Sequence, residues 1–114
     1  MNRLQSKKAI RIILAKGKWL KDDHFTVKYL PQIPENTQVE VAITVSKKVS
    51  KHANERNRLK RRISAIVEER LKSPYTPHQI ILIPRASALA CTQSVIERSI
   101  TELLNQLDPN RYAE

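Results

Sequence analysis

Between Val39 and Ile83 the hydrophobic period of this 114-residue chain changes twice, and each change restricts what it can fold into. From Val39 to Ser46, Val39, Val41, Ile43 and Val45 alternate with Glu40, Ala42, Thr44 and Ser46, the two-residue repeat of a half-buried strand. Beyond it the period lengthens. Leu59, Ile63, Ile66, Val67 and Leu71 recur at helical spacing, which predicts a helix starting within 50–54 and running to about Lys72. Pro74 and Pro77 forbid its continuation. Ile80 to Ile83 then runs apolar without alternation, as a strand covered on both faces does, and Pro84 closes it.

The flanking segments add to this pattern. Ser6 is placed to cap a helix over 6–16, with Ile10, Ile13 and Leu14 on one side and Gly17, the only glycine, where the helix should stop. Phe25, Val27 and Tyr29 alternate with Thr26 and Lys28 as a strand that Pro31 and Pro34 end. Val95, Ile96, Ile100, Leu103, Leu104 and Leu107 trace a final amphipathic helix that stops before Pro109. The predicted order is α-β-β-α-β-α, with one further strand admitted before the long helix. That order is an α+β fold, a two-layer α/β sandwich in one domain over residues 1–114.

Charge is distributed unevenly over this scaffold. The net value is +10, from 21 Lys and Arg against 11 Asp and Glu. Residues 1–21 carry +7 with no acid, residues 22–45 carry −3, residues 46–62 carry +7 again, and the remainder carries −1. A solvated surface mixes both signs, so two basic blocks on a nearly neutral scaffold read as the footprint of a polyanion. No apolar run approaches the roughly 18–20 residues of a membrane span, and no signal-peptide pattern opens the chain. A single cysteine, Cys91, makes no internal disulfide, so a reducing, cytoplasmic setting is expected.

The second block carries the most specific pattern. Val45 to Arg62 reads V-S-K-K-V-S-K-H-A-N-E-R-N-R-L-K-R-R, a strand leading into a basic helix. With about 100° per residue and the apolar stripe inward, Arg58 and Arg61 point outward, flanked by Asn57 and Arg62. Lys60 lies on the flank, and Arg56 falls toward the stripe, where only a position near the helix start leaves it exposed. Neighbouring guanidinium groups on such a face lie about 5–6 Å apart and grip phosphate oxygens bidentately. The helix N-terminus adds free N–H donors, and Asn57 can read a base edge or a 2′-OH.

This segment resembles the signature of the protein subunits of bacterial ribonuclease P. The R-N-R-x-K-R string (Arg56, Asn57, Arg58, Lys60, Arg61) follows V-S-K-K-V (Val45 to Val49), as in that family. Arg3-Leu4, the K-G-K of Lys16 to Lys18, the Y-L-P of Tyr29 to Pro31, and Arg85 after the buried strand extend the resemblance. The chain departs from it at Ser50-Lys51-His52, where glycine is common, and at Ser64 and Ala65, where basic residues are. It departs again at Ile10 and Leu14, where the family's first helix is often aromatic.

The resemblance implies a ferredoxin-like α/β sandwich with a left-handed β-α-β crossover. It also implies a protein that assists a catalytic RNA in Mg²⁺-dependent removal of the 5′ leader from precursor tRNA. Mg²⁺ would be bound mainly by the RNA, leaving the isolated protein without cofactor, small-molecule ligand or catalytic side chains. Lys47, Lys48, Arg56, Asn57, Arg58, Lys60 and Arg61 would contact the catalytic RNA, with Arg62 joining them on helix geometry. Ile10, Leu14, Tyr29, Ala42, Thr44 and Ser46 would hold the leader. The oligomeric state is not fixed by sequence.

The residues themselves point the same way. The only adjacent acid pairs are Asp22-Asp23 and Glu68-Glu69, and the latter reads as a solvated face. His24, His52 and His78 lie in separate segments without zinc spacing, and His52 reads as a phosphate-contacting or cap residue rather than a general base. Cys91 is expected to be buried and Trp19 to pack over the first helix. A ribosomal or other structural RNA-binding protein accounts equally well for size and charge. A helix-turn-helix DNA binder does not fit, since the basic helix follows a strand.

Overall fold

A computed structural model describes residues 2–31, 40–70 and 78–107. Its elements are β1 (Asn2–Arg3), α1 (Lys7–Lys16), β2 (Lys18–Lys21), β3 (Phe25–Pro31), β4 (Glu40–Ile43), α2 (Ala53–Arg70), β5 (His78–Pro84), a 3₁₀ turn (Ala86–Ala90) and α3 (Gln93–Leu107). The five strands form one sheet in the order β1-β4-β5-β3-β2. β1 and β5 both run parallel to β4, while β3 is antiparallel to β5 and β2 to β3. Parallel β4 and β5 need a long crossover, and α2 supplies it.

The central strand explains its own sequence. Ile80 and Leu82 face the layer of α2 and α3, whereas Ile81 faces α1, so an apolar run without alternation is what the position demands. On the first face Phe25, Val27 and Val41 meet Leu59, Ile63, Ile66 and Val67 of α2, and Ile96, Ile100, Leu103 and Leu104 of α3. On the second face Ile13 of α1 and Leu4 pack on Ile81, with Ile10, Leu30, Ala42 and Ile83 partly covered. The sandwich is thus the sheet with α2 and α3, and α1 lies across part of the other face.

Local chemistry sets the ends of α1. Ser6 Oγ accepts from the Ala9 amide at 3.1 Å, the expected N-cap. Gly17 stops the helix for a reason other than a left-handed turn, since its φ is −67°. A methyl group there would sit 2.5 Å from the Ile13 carbonyl oxygen and 3.0 Å from that of Tyr29. The glycine lets the chain enter β2 directly against β3.

Several expectations shift. β2 is the strand the predicted order left room for, and β1 is new: two residues carry no period, and only pairing with β4 defines them. β4 ends at Ile43 rather than Ser46 because a turn begins there, with the Val49 amide donating to the Ser46 carbonyl at 3.0 Å. Trp19 does not pack over α1 but stands 57% exposed on β2, and Val95 is exposed despite its place in the α3 stripe. Cys91 is half-buried rather than fully buried. Val39, Pro34, Leu71, Lys72, Pro74, Pro77 and Pro109 lie outside the described residues.

Candidate nucleic-acid interface

The turn at 47–49 and the first turns of α2 place the second basic block on one surface. Lys47 and Lys48 are exposed in the turn, which Ser46 braces by accepting the Lys48 amide on Oγ at 3.3 Å. The N-terminus of α2 is built by Ser50. Its hydroxyl accepts from the His52 amide at 3.1 Å and donates to Glu55 Oε1 at 2.5 Å. This is a capping box relayed through one extra hydroxyl, with His52 as the cap whose carbonyl accepts the Arg56 amide. Ser50 is buried, so its hydroxyl serves the start of α2 rather than the RNA-facing surface.

The helix phase resolves the basic residues into two groups. Asn57, Arg58, Lys60 and Arg61 are exposed, while Leu59 and Ile63 are buried beneath them. Arg56 is half-buried, and its Nη1 donates to the Ser50 carbonyl at 2.9 Å, fastening the turn to the helix. Arg62 is half-buried too and faces α3. Its Nε donates to Gln93 Oε1 at 2.8 Å and its Nη2 to the Cys91 carbonyl at 3.1 Å. The outward reading of Arg62 is corrected accordingly: the helix angle was right, but α3 starts beside it.

Beside this face lies a groove of about 460 Å³. Asn57, Lys60, Arg61 and Ser64 of α2 form one wall, Arg3, Leu4 and Ile10 the other, and residues Val41 to Thr44 the floor. The lining contains three cations and no acid. The structure therefore brings Ile10, Ala42 and Thr44 together with Asn57, Lys60 and Arg61. Leu14 follows Ile10 by one turn on the same side of α1 and is 41% exposed. Ser46 is exposed in the turn and does not line the groove.

Tyr29 does not join them. Strand alternation places it with Phe25 and Val27, packed against the core under α2 and α3. Its neighbour Lys28 takes the α1 face instead, with Nζ donating to the Leu14 carbonyl at 2.9 Å. Arg3 and Ser64 are additions to the expected leader site. Arg3 belongs to the first basic block, a signal that was present, whereas Ser64 is a small polar residue that nothing in the sequence distinguishes. Among the described residues no three His, Cys, Asp or Glu side chains come together as a metal site, and no helix is long and apolar enough to cross a membrane.

A mixed five-stranded sheet with an arginine face and an acid-free groove defines a small basic α+β RNA-binding domain. The chain belongs to the ribonuclease P protein family, whose family-wide pattern, described as Ribonuclease P, it matches over residues 1–108. A ribonuclease P protein component from Microcystis aeruginosa is 32% identical over 108 residues, spanning 91% of this chain and 88% of its own. The ribonuclease P protein of Staphylococcus aureus superposes with a TM-score of 0.83 at 27% identity, covering 95% of this chain and 96% of the other. That of Thermotoga maritima shares the fold, with a TM-score of 0.81 at 22% identity over 93% of this chain and 97% of the other.

Proposed function

We propose that the chain docks on the catalytic RNA of ribonuclease P through the Asn57, Arg58, Lys60 and Arg61 face, with Lys47 and Lys48 beside it, and holds the 5′ leader of precursor tRNA in the adjoining groove. The observation that carries this is the shared boundary of the two surfaces: Asn57, Lys60 and Arg61 belong to the arginine face and also form a groove wall opposite Ile10. An RNA seated on α2 therefore delivers a strand directly into the groove. The guanidinium and ammonium groups neutralise phosphates, while Ile10, Leu14 and Ala42 offer apolar contact to bases without reading them. Arg56 and Arg62 act from behind this face, holding the turn before α2 and the start of α3.

Mg²⁺ would be held mainly by the RNA rather than by this chain, and would supply Lewis-acid activation of water there. The protein's part is to position the strand and offset repulsion between two polyanions, which makes it most valuable when cations are scarce. The setting is cytoplasmic.

Reconstitution tests this reading. Precursor tRNA is incubated at low Mg²⁺ with the protein, the catalytic RNA, or both. Cleavage at the leader junction is expected with both and is weak with RNA alone. Cleavage by protein alone, or a rate with RNA that the protein leaves unchanged, overturns it. Enrichment of ribosomal RNA alone from lysate would favour a structural RNA-binding role instead.

A further inference from the structure

We infer that Trp19 is a base-stacking site for single-stranded RNA at the far end of the leader path, an extension that rests on the leader reading above. Strand register carries the argument. Trp19 of β2 pairs with Lys28 of β3, Lys28 with Ile81 of β5, and Ile81 with Ala42 of β4, so the four side chains form one row on the α1 face. Lys21, Thr26 and Ile83 form the next row, on the same face and in the direction of Thr44. In the first row Ile81 is buried beneath α1 and Lys28 bonds to the Leu14 carbonyl, whereas in the second row Thr26 and Ile83 are only partly covered. The open surface therefore runs along the second row, from Thr44 at the groove floor past Ile83 and Thr26 to Lys21, three strand spacings or about 14 Å, and ends at β2 beside Trp19.

At that end the chemistry suits a nucleotide. The indole is 57% exposed, with Lys21 Nζ 5.4 Å from its ring centroid. Lys21 on the same strand and Lys28 across from the indole share its face of the sheet, and residues 1–21 contain no acid. The first carboxylate along the chain, Asp22, is turned into its own hairpin and held by Ser99. An exposed aromatic flanked by lysines on a sheet face stacks a base and meets its phosphate, whatever the base. Because α2 meets the catalytic RNA at the opposite end, the nucleotide on Trp19 lies far from the cleavage site. Only longer leaders reach it.

Trp19 is the only tryptophan in the chain, so its emission reports this site directly. The full-length protein is titrated with a labelled oligouridylate of about ten nucleotides, reading indole emission and label anisotropy together. Saturable quenching that tracks the anisotropy supports the site. So does a roughly five- to tenfold weaker affinity for Trp19→Ala, with Trp19→Phe near the parent. In the holoenzyme, Trp19→Ala should weaken precursor tRNA bearing a long leader and leave one with a single-nucleotide leader unchanged. Binding with unaltered emission and full affinity in Trp19→Ala overturns the Trp19 site while the leader reading stands. Absence of any oligomer binding overturns both. A doubled mass in light scattering, with emission that RNA does not change, overturns the site in favour of pairing between copies through β2.

Discussion

The Ser99 hydroxyl on α3 donates to Oδ2 of Asp22, which lies 77 residues earlier in the turn between β2 and β3. The other carboxylate oxygen accepts the amides of His24 and Phe25, both at 2.8 Å. One side chain therefore closes the β2–β3 hairpin and ties it to the helix layer. Burial alone would raise the Asp22 pKa, but the Ser99 hydroxyl, the two amides and the nearby His24 outweigh it and hold the carboxyl below its usual value.

A lowered folded-state pKa means that the stabilisation is present above the ordinary aspartate range and is lost as pH falls through the folded value. The melting temperature of the parent should drop as pH is taken from about 5 to about 3. Asp22→Asn should start lower at neutral pH, by roughly 1–2 kcal/mol, and lose less on acidification. Parallel pH profiles for the two proteins would refute the assignment. Such parallelism would mean that the tie contributes equally whether the group is charged or not.

Gly17→Ala is expected to destabilise although alanine is the better helix former. Removing backbone freedom from the unfolded chain usually gains about 0.4–1 kcal/mol. Here the added methyl meets backbone oxygens of Ile13 and Tyr29 at 2.5 and 3.0 Å, and neither can swing away as a side chain tip would. Separating α1 from β3 costs more than the entropy gain, at roughly 1–3 kcal/mol. Chemical denaturation checks the sign, and a raised midpoint would show that α1 can shift freely.

Ser50→Ala removes both the acceptor for the His52 amide and the donor to Glu55. A loss of about 1 kcal/mol is expected, as for other helix caps. Ser50→Gly should cost more than the few tenths typical of a glycine cap, because Glu55 then loses its partner. Protection of the first amides of α2 against hydrogen exchange should fall before that of Ile63 or Val67. Uniform loss along α2 would place the serine's contribution elsewhere.

How far the sequence revealed this depends on which interaction sets each feature. Ile80 to Leu82 were legible as a central strand because burial on both faces abolishes alternation, a signal internal to the segment. The α2 phase was legible for the same reason: Leu59, Ile63, Ile66 and Val67 define the inner side without reference to anything else. Lys28 and Tyr29 show where this stops. Alternation separates them, but only the packing of α1 on Ile81 decides which of the two faces becomes the groove side. Likewise the helical wheel gives Arg62 an angle, yet the Gln93 and Cys91 partners that hold it arrive from a segment some 30 residues on. Trp19 stands exposed because β2 is an edge strand whose α1 face is uncovered, a fact of topology rather than of composition.

The division of the basic helix into an outward face and a structural pair gives the sharpest test. Arg58→Ala and Arg61→Ala each delete an exposed cation, so each should weaken binding to the catalytic RNA and reduce the salt slope by about one. Their melting temperatures should stay within about 3 °C of the parent, since exposed substitutions that break no contact change stability by less than about 0.5 kcal/mol. Arg62→Ala should behave in the opposite manner. It leaves the Cys91 carbonyl and Gln93 without their donor, so stability should fall by about 1–2 kcal/mol while the salt slope is nearly retained. Arg62→Lys should recover little, because one ammonium cannot reproduce a two-pronged contact. Salt-dependent binding and thermal melts on the same four variants decide it. If Arg62→Ala loses a full unit of salt slope with an unchanged melt, the guanidinium leaves α3 when RNA arrives, and the helix presents three arginines to it rather than two.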